Sequence, residues 1–100
     1  MNTFEIIYEV VKTIPKGKVL SYGEVALRAG NPRWSRVVGY ALHVNPMPKI
    51  IPCHRVVMKD GSLTPAFAFG GEGKQRELLE EEGVHFLPDG RVDMKKSMWK

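Results

Sequence analysis

Thiols are scarce in this chain: Cys53 is the one cysteine among 100 residues. A lone cysteine excludes an internal disulfide and any Cys-rich zinc site, and leaves core filler, a lone ligand or a nucleophile as its role. Long apolar runs are missing too. None approaches the roughly 18 residues a membrane span needs, so no membrane partner is expected. The opening MNTFEIIYEVVK mixes acids with its apolar residues and has no basic leader, unlike a signal peptide. The expected location is cytoplasmic, where a free thiol stays reduced. With no repeat, low-complexity tract or dividing linker, residues 1–100 read as a single domain with one modest core. Acids are scarce in one half only. Residues 1–59 hold nine Lys/Arg against three Asp/Glu, and residues 60–100 hold six against eight, within a net charge of +4. The basic half points to an anionic partner, with nucleic acid the leading candidate; a solvated basic surface is the alternative.

What is present reads as an α-rich fold with a little β. Phe4, Ile7, Tyr8 and Val11 recur at helical spacing, predicting a helix from Thr3 to Ile14 that Pro15 and Gly17 end. Ser21, with Glu24 three residues on, forms a capping-box pattern opening a short helix, Tyr22 to Ala29, closed by Gly30. Asn31-Pro32 starts the next helix, which Pro46 stops near Asn45. Its apolar stripe is Trp34, Val37, Val38, Ala41 and Leu42, and its other face collects Arg36, Gly39, Tyr40 and His43. Gly39 costs about 1 kcal/mol against alanine in a helix interior. It marks a close approach to the backbone, by a ligand or by another helix. Two short helices joined at Gly30 and Asn31 suggest a helix-turn-helix.

The prolines of NPMPKIIP (45–52) exclude regular structure there and place Cys53 after a rigid corner. Val56, Val57 and Met58 predict a strand, Lys59-Asp60-Gly61-Ser62 a turn, and Phe67 to Gly73 an aromatic, glycine-rich loop. A helix is expected from Lys74 to Glu82 with Gly83 as its cap. In the tail, a Pro88-Asp89-Gly90 turn separates two extended stretches.

Chemistry concentrates at Cys53, followed directly by His54 and Arg55. A thiol with a pKa near 8.5 is only a few per cent thiolate at neutral pH. A histidine that takes its proton, with a carboxylate behind it to stabilise the imidazolium, makes the thiolate available. A cationic environment would lower the thiol pKa further.

The segments IPKGKVLSYGEVA, GNPRWSRVVGYALHVNP, IIPCHRVV and LLEEEG, in that order from about Ile14 to Gly83, resemble the C-terminal domain of O6-alkylguanine-DNA alkyltransferases. The resemblance implies a helix-turn-helix, winged-helix-like fold. It also implies transfer of an alkyl group from O6-alkylguanine in double-stranded DNA to the protein, once per molecule, by a monomer needing no metal or organic cofactor. By the same resemblance Cys53 is the alkyl acceptor, and His54 receives the thiol proton through a water. Glu82 orients the histidine; otherwise it is one of three exposed glutamates. Asn45 is the hinge between the helix-turn-helix and the active-site loop; otherwise it is a helix cap before proline. Tyr22 helps rotate the damaged nucleotide and assists departure of the guanine oxygen; otherwise it is a half-buried aromatic. Arg36 fills the space of the flipped base, or is a solvated helix charge. Gly39 fits a minor-groove approach.

Two features depart from the repair enzymes. Their usual N-terminal domain is absent from this sequence, and the stretch HRVVMKDGSLTPAFAF before Gly70-Gly71 is longer than their loop, with Ala66, Phe67, Ala68 and Phe69 where polar contacts are usual. The changed wall raises the hypothesis of a pocket for bulkier alkyl groups. The tail VHFLPDGRVDMKKSMW resembles alkyltransferase-like proteins, which bind and flip O6-alkylguanine and signal to nucleotide excision repair proteins without removing the lesion. Those usually carry tryptophan or another residue at the position of Cys53. His43, His85, Trp34, Trp99 and Lys95, Lys96 and Lys100 read as surface or packing residues.

Overall fold

Asn2 and Glu5 start the first helix by capping each other: the Asn2 side chain accepts from the Glu5 amide (2.9 Å) and Glu5 accepts from the Asn2 amide (3.3 Å). The computed structural model describes residues 1–65 and 67–100. Helix α1 (Thr3–Lys12) turns Ile7 and Val11 fully inward. It ends at Lys12 rather than Ile14. Thr13 caps it, and the chain turns so that Ile14 is buried as a core residue outside the helix. Strand β1 (Leu20–Ser21) follows, unforeseen in the sequence, and leads straight into α2 (Tyr22–Arg28). The Ser21 hydroxyl accepts from the Glu24 amide (3.1 Å), as the capping pattern requires.

Gly30, at φ +106°, makes the reversal out of α2 that only glycine adopts without strain. The expected single helix from Asn31 to Asn45 is two pieces. A 3-10 turn (Pro32–Trp34), capped by the Asn31 side chain on the Arg33 amide, precedes α3 (Ser35–His43). Val38, Ala41 and Leu42 of α3 are buried, while Trp34 and Val37 pack at the core edge. Helices α1, α2 and α3 pack mutually around this core, and α2 with α3 forms the helix-turn-helix pair.

Cys53–Arg55 form a second 3-10 turn leading into β2 (Val56–Val57), one residue shorter than the expected strand. Strands β1 and β2 pair in parallel, Leu20 with Val56 and Ser21 with Val57. This two-rung ladder ties the start of α2 to the residues just after Cys53. Tyr22 is therefore held beside the thiol loop by backbone pairing.

The Met58–Ser62 turn closes as expected. Helix α4 (Gly71–Glu81) begins three residues before the expected Lys74, because Gly70 at φ +122° allows the chain to enter the helix directly. Phe67 and Phe69, whose rings meet edge to face, precede it; Ala66 lies outside the described residues. In the tail, Phe86 and Val92 bridge across the Pro88–Gly90 turn. The second stretch then forms a short helix, α5 (Met94–Ser97), capped by Asp93, where extended chain was expected. The Val19 amide donates to the Ser97 carbonyl and the Trp99 amide to Val19, both at 2.9 Å. Val19, Val57, Leu79, Val84 and Val92 form a second small core beneath this tail.

Candidate active site and nucleic-acid face

The segment between α3 and Cys53 is shaped by Asn45. Its Nδ2 donates to the Ile51 carbonyl and its Oδ1 accepts from the Met47 amide, both at 2.9 Å. It is not the helix cap, since Val44 holds that position. Buried Asn45 instead clamps the proline-rich loop into a turn that delivers Cys53 to the core side of the α2–α3 pair. Cys53 is only 4% exposed. Burial pushes its pKa up, and hydrogen bonds from the Asn45 side chain and the Cys53 and His54 backbone pull it partly back. The free protein therefore holds Cys53 as a neutral thiol, and the environment does not by itself produce the thiolate.

Behind the thiol, His54 is buried, with Nε2 3.0 Å from Glu82 Oε1. The two atoms stand close without a formed hydrogen bond, and the contact becomes an ion pair only when the imidazole is protonated. His54 Nε2 otherwise has no partner among the described residues. Burial lowers the His54 pKa and the nearby Glu82 carboxylate partly restores it, while the Arg55 charge lowers it again. Arg55 does not face the thiol. Its Nε and Nη2 donate to the two Glu82 oxygens at 2.9 and 2.6 Å, and Nη1 donates to the Ile14 carbonyl at 2.7 Å.

Glu82 is the hub of this arrangement, with a side chain only 13% exposed, whereas Glu80 and Glu81 are exposed. It caps the C-terminus of α4, where the helix dipole opposes a carboxylate. Burial also pushes its carboxyl up. Hydrogen bonding and charge from Arg55, with His54 beside them, outweigh burial and hold it below the usual carboxylate range.

On the other side of Cys53 lies a cavity of about 150 Å³, lined by Tyr22, Gly39, Leu42, His43, Cys53, Thr64, Pro65, Phe67 and Ala68. The Tyr22 hydroxyl is 2.7 Å from Thr64 Oγ1. A Cβ added to Gly39 would meet only Tyr22 Cε1, at an ordinary 3.9 Å. No helix packs close enough to demand this glycine, which faces the cavity mouth. Arg36 lies one turn earlier on α3, exposed and outside the cavity lining, and Tyr40 is 65% exposed on the same helix. Arg33, just before α3, and Lys49, in the loop before Cys53, are also exposed.

The structure thus brings Cys53, Tyr22 and Gly39 to one cavity, sets Asn45 beneath the thiol, and places His54 and Glu82 behind it. Sequence reasoning missed the Arg55–Glu82 pair, although Arg55 adjoins the Cys-His dipeptide. It also missed Thr64 and passed over Gln75, a polar residue on the core face of α4 four positions before Leu79; His43, read as a surface residue, is exposed and also lines the cavity. Among the described residues no group of three or more His, Cys, Asp or Glu side chains stands together as a metal site.

The family described as 6-O-methylguanine DNA methyltransferase, DNA binding domain, matches residues 2–84. The chain belongs to this family. The mouse methylated-DNA–protein-cysteine methyltransferase is 39% identical over 82 residues, which cover 82% of this chain and 38% of that protein. The chain therefore spans well under half the length of that enzyme. Alkyltransferase-like protein 1 of Schizosaccharomyces pombe is 37% identical over 99 residues, covering 94% of this chain and 91% of that protein. Among solved structures, S. pombe Atl1 in complex with damaged DNA containing O6-carboxymethylguanine superposes with a TM-score of 0.81 at 35% identity, over 98% of this chain and 94% of that one. Mycobacterium tuberculosis OGT in complex with DNA gives 0.76 at 38% identity, over 83% and 49%. Both kinds of relative share this family's fold.

Proposed function

We propose that this protein repairs DNA by transferring an alkyl group from O6-alkylguanine to Cys53, once per molecule. The observation that carries this reading is the joint placement of the thiol at one cavity with Tyr22 and, behind it, of Asn45, His54 and Glu82. The exposed Arg33, Arg36 and Lys49 and the exposed face of α3 suit the minor groove of a duplex. The alkyl carbon is inaccessible inside the stack, so the nucleotide must rotate into the cavity, with Arg36 filling the space it leaves. Extrusion costs a few kcal/mol, least for a damaged base.

In this reading the Cys53 proton passes through a water to His54, and Glu82 stabilises the resulting imidazolium. The sulfur then bonds to the alkyl carbon as the carbon–O6 bond breaks, its electron pair leaving with guanine. Guanine takes a proton from the Tyr22 hydroxyl, which the His54 proton replaces, so the net movement is one proton from thiol to base. Water does not hydrolyse the thioether, hence a single turnover. A reducing compartment such as the cytoplasm keeps the thiol available, and a monomer suffices.

A second reading is favoured by one observation: the similarity to S. pombe alkyltransferase-like protein 1 runs through the tail as well as the core. In that reading the chain binds the lesion and presents it to nucleotide excision repair without transfer. Nucleoside analysis of a duplex carrying O6-methylguanine separates the two. Conversion to guanine in proportion to protein added supports transfer, and an unchanged lesion held in a stable complex supports recognition alone. The apolar wall of Leu42, Pro65 and Phe67 supports acceptance of larger adducts. A benzyl adduct run beside the methyl one tests this, and reaction with methyl alone contradicts it.

A further inference from the structure

Gln75 of α4 is fully buried, and the mechanism above gives it no task. Its amide is committed entirely to the segment that follows Cys53. Oε1 accepts from the Thr64 backbone amide at 2.8 Å, which fixes the side chain's orientation because a backbone N–H can only donate. Nε2 therefore faces acceptors: the carbonyls of His54 and Val56, each at 3.1 Å, and Thr64 Oγ1 at 3.4 Å. Thr64 is held at its backbone, and its single hydroxyl proton has two acceptors in reach: the Val56 carbonyl at 3.3 Å, which already accepts from Gln75, and the Tyr22 oxygen at the shorter 2.7 Å. Both hydroxyl-bearing residues line the cavity that contains Cys53.

Two adjacent hydroxyls can pass donation along. When a group in the cavity accepts the Tyr22 proton, Thr64 can donate to the Tyr22 oxygen behind it, and hydrogen bonds in series reinforce one another. A purine alkylated at O6 has lost its N1 proton and offers only acceptors along that edge, whereas guanine presents an N1–H donor. A tyrosine hydroxyl held as a donor therefore discriminates between them.

We infer that Gln75 and Thr64 are positioning residues of the lesion pocket: Gln75 pins Thr64, and Thr64 Oγ1 holds the Tyr22 hydroxyl as a donor that selects an O6-alkylated purine over guanine. The inference rests on the lesion-binding part of the proposed function and holds whether or not transfer follows. It agrees with the balance at Tyr22, whose phenol burial pushes up and the Thr64 hydrogen bond pulls back down.

Gln75→Met removes the side-chain partner of the Thr64 amide and the His54 carbonyl, and one partner of the Val56 carbonyl, and threatens folding, so Thr64→Val, nearly isosteric and sparing the Thr64 amide, is the primary variant. Two quantities are measured on the full chain. One is the ratio of affinities for duplexes with O6-methylguanine and with guanine at one position. The other is the Tyr22 titration followed by carbon NMR of labelled tyrosine. The expected result is a ratio reduced about fivefold to tenfold in Thr64→Val, with affinity for the undamaged duplex unchanged. The Tyr22 midpoint should move upward, and Thr64→Ser should restore both. A wild-type protein that discriminates, with a Thr64→Val variant that discriminates equally, overturns the inference alone. A wild-type protein that does not discriminate overturns the lesion-binding reading and the inference with it.

Discussion

Glu82 stands between the Arg55 guanidinium and the neutral His54 imidazole, and its substitution tests the first of these contacts. Glu82→Gln removes the charge that Arg55 grips with two hydrogen bonds and leaves a largely buried guanidinium without a counter-ion. Breaking such a pair from one side is expected to cost about 2–4 kcal/mol, read from urea denaturation. A loss under about 0.5 kcal/mol would mean that solvent already supports Arg55. The same site sets a pH dependence. His54 has a folded pKa below its unfolded value of about 6.5, chiefly through burial, so the unfolded chain binds the proton more readily. Its contribution to stability is present above about pH 6.5 and is lost as the pH falls through the folded value. Glu82, also depressed by its partners, adds a further loss only below the ordinary carboxylate range near 4.3. Unfolding measured at about pH 7.5 and about pH 5.5 should therefore show lower stability in acid, with a smaller difference in His54→Gln. A flat profile in the wild-type protein would contradict a buried neutral imidazole.

Helix α3 carries the clearest conflict between local propensity and position. Gly39 lies mid-helix and no neighbour crowds it, so Gly39→Ala should stabilise the free protein by about 0.5–1 kcal/mol while weakening duplex binding. Thermal melting and fluorescence anisotropy read the two effects. Stabilisation with full DNA affinity would move the duplex off this face of α3. The same helix shows what a sequence makes legible. Val38, Ala41 and Leu42 were readable from spacing because burial follows the helical period. The 3-10 entry at Pro32–Trp34 was not, since proline suits the first turn of either geometry. Strand β1 escaped notice because two residues carry no period, and its existence depends on β2 from far along the chain. Helix α5 was hidden by its length of four residues. Within the site, Cys53, His54 and Asn45 stood out by their motif. Arg55, Thr64 and Gln75 did not, because their partners come from distant segments: Glu82 for the first, Tyr22 and the His54–Val56 backbone for the others.

At the scale of the whole molecule, charge and topology divide the work. The parallel β1–β2 ladder fastens the helix-turn-helix to the thiol turn, and α4 closes the far side with Gln75 and Glu82. The excess of positive charge lies in residues 1–59, which include the exposed Arg33, Arg36 and Lys49. Binding to an undamaged duplex should accordingly weaken as salt rises, with a log–log slope of about −0.9 for each phosphate neutralised. If, as proposed, preference for the lesion arises in the cavity, it should change much less. Equal salt sensitivity of both would place lesion recognition on the exposed basic residues instead. Transfer itself is tested most directly by the intact mass of the protein after incubation with a duplex containing one O6-methylguanine. The expected result is a gain of one methyl group per chain, mapped to Cys53 and lost in Cys53→Ala. An unchanged mass in a protein that binds the lesion selectively would contradict it.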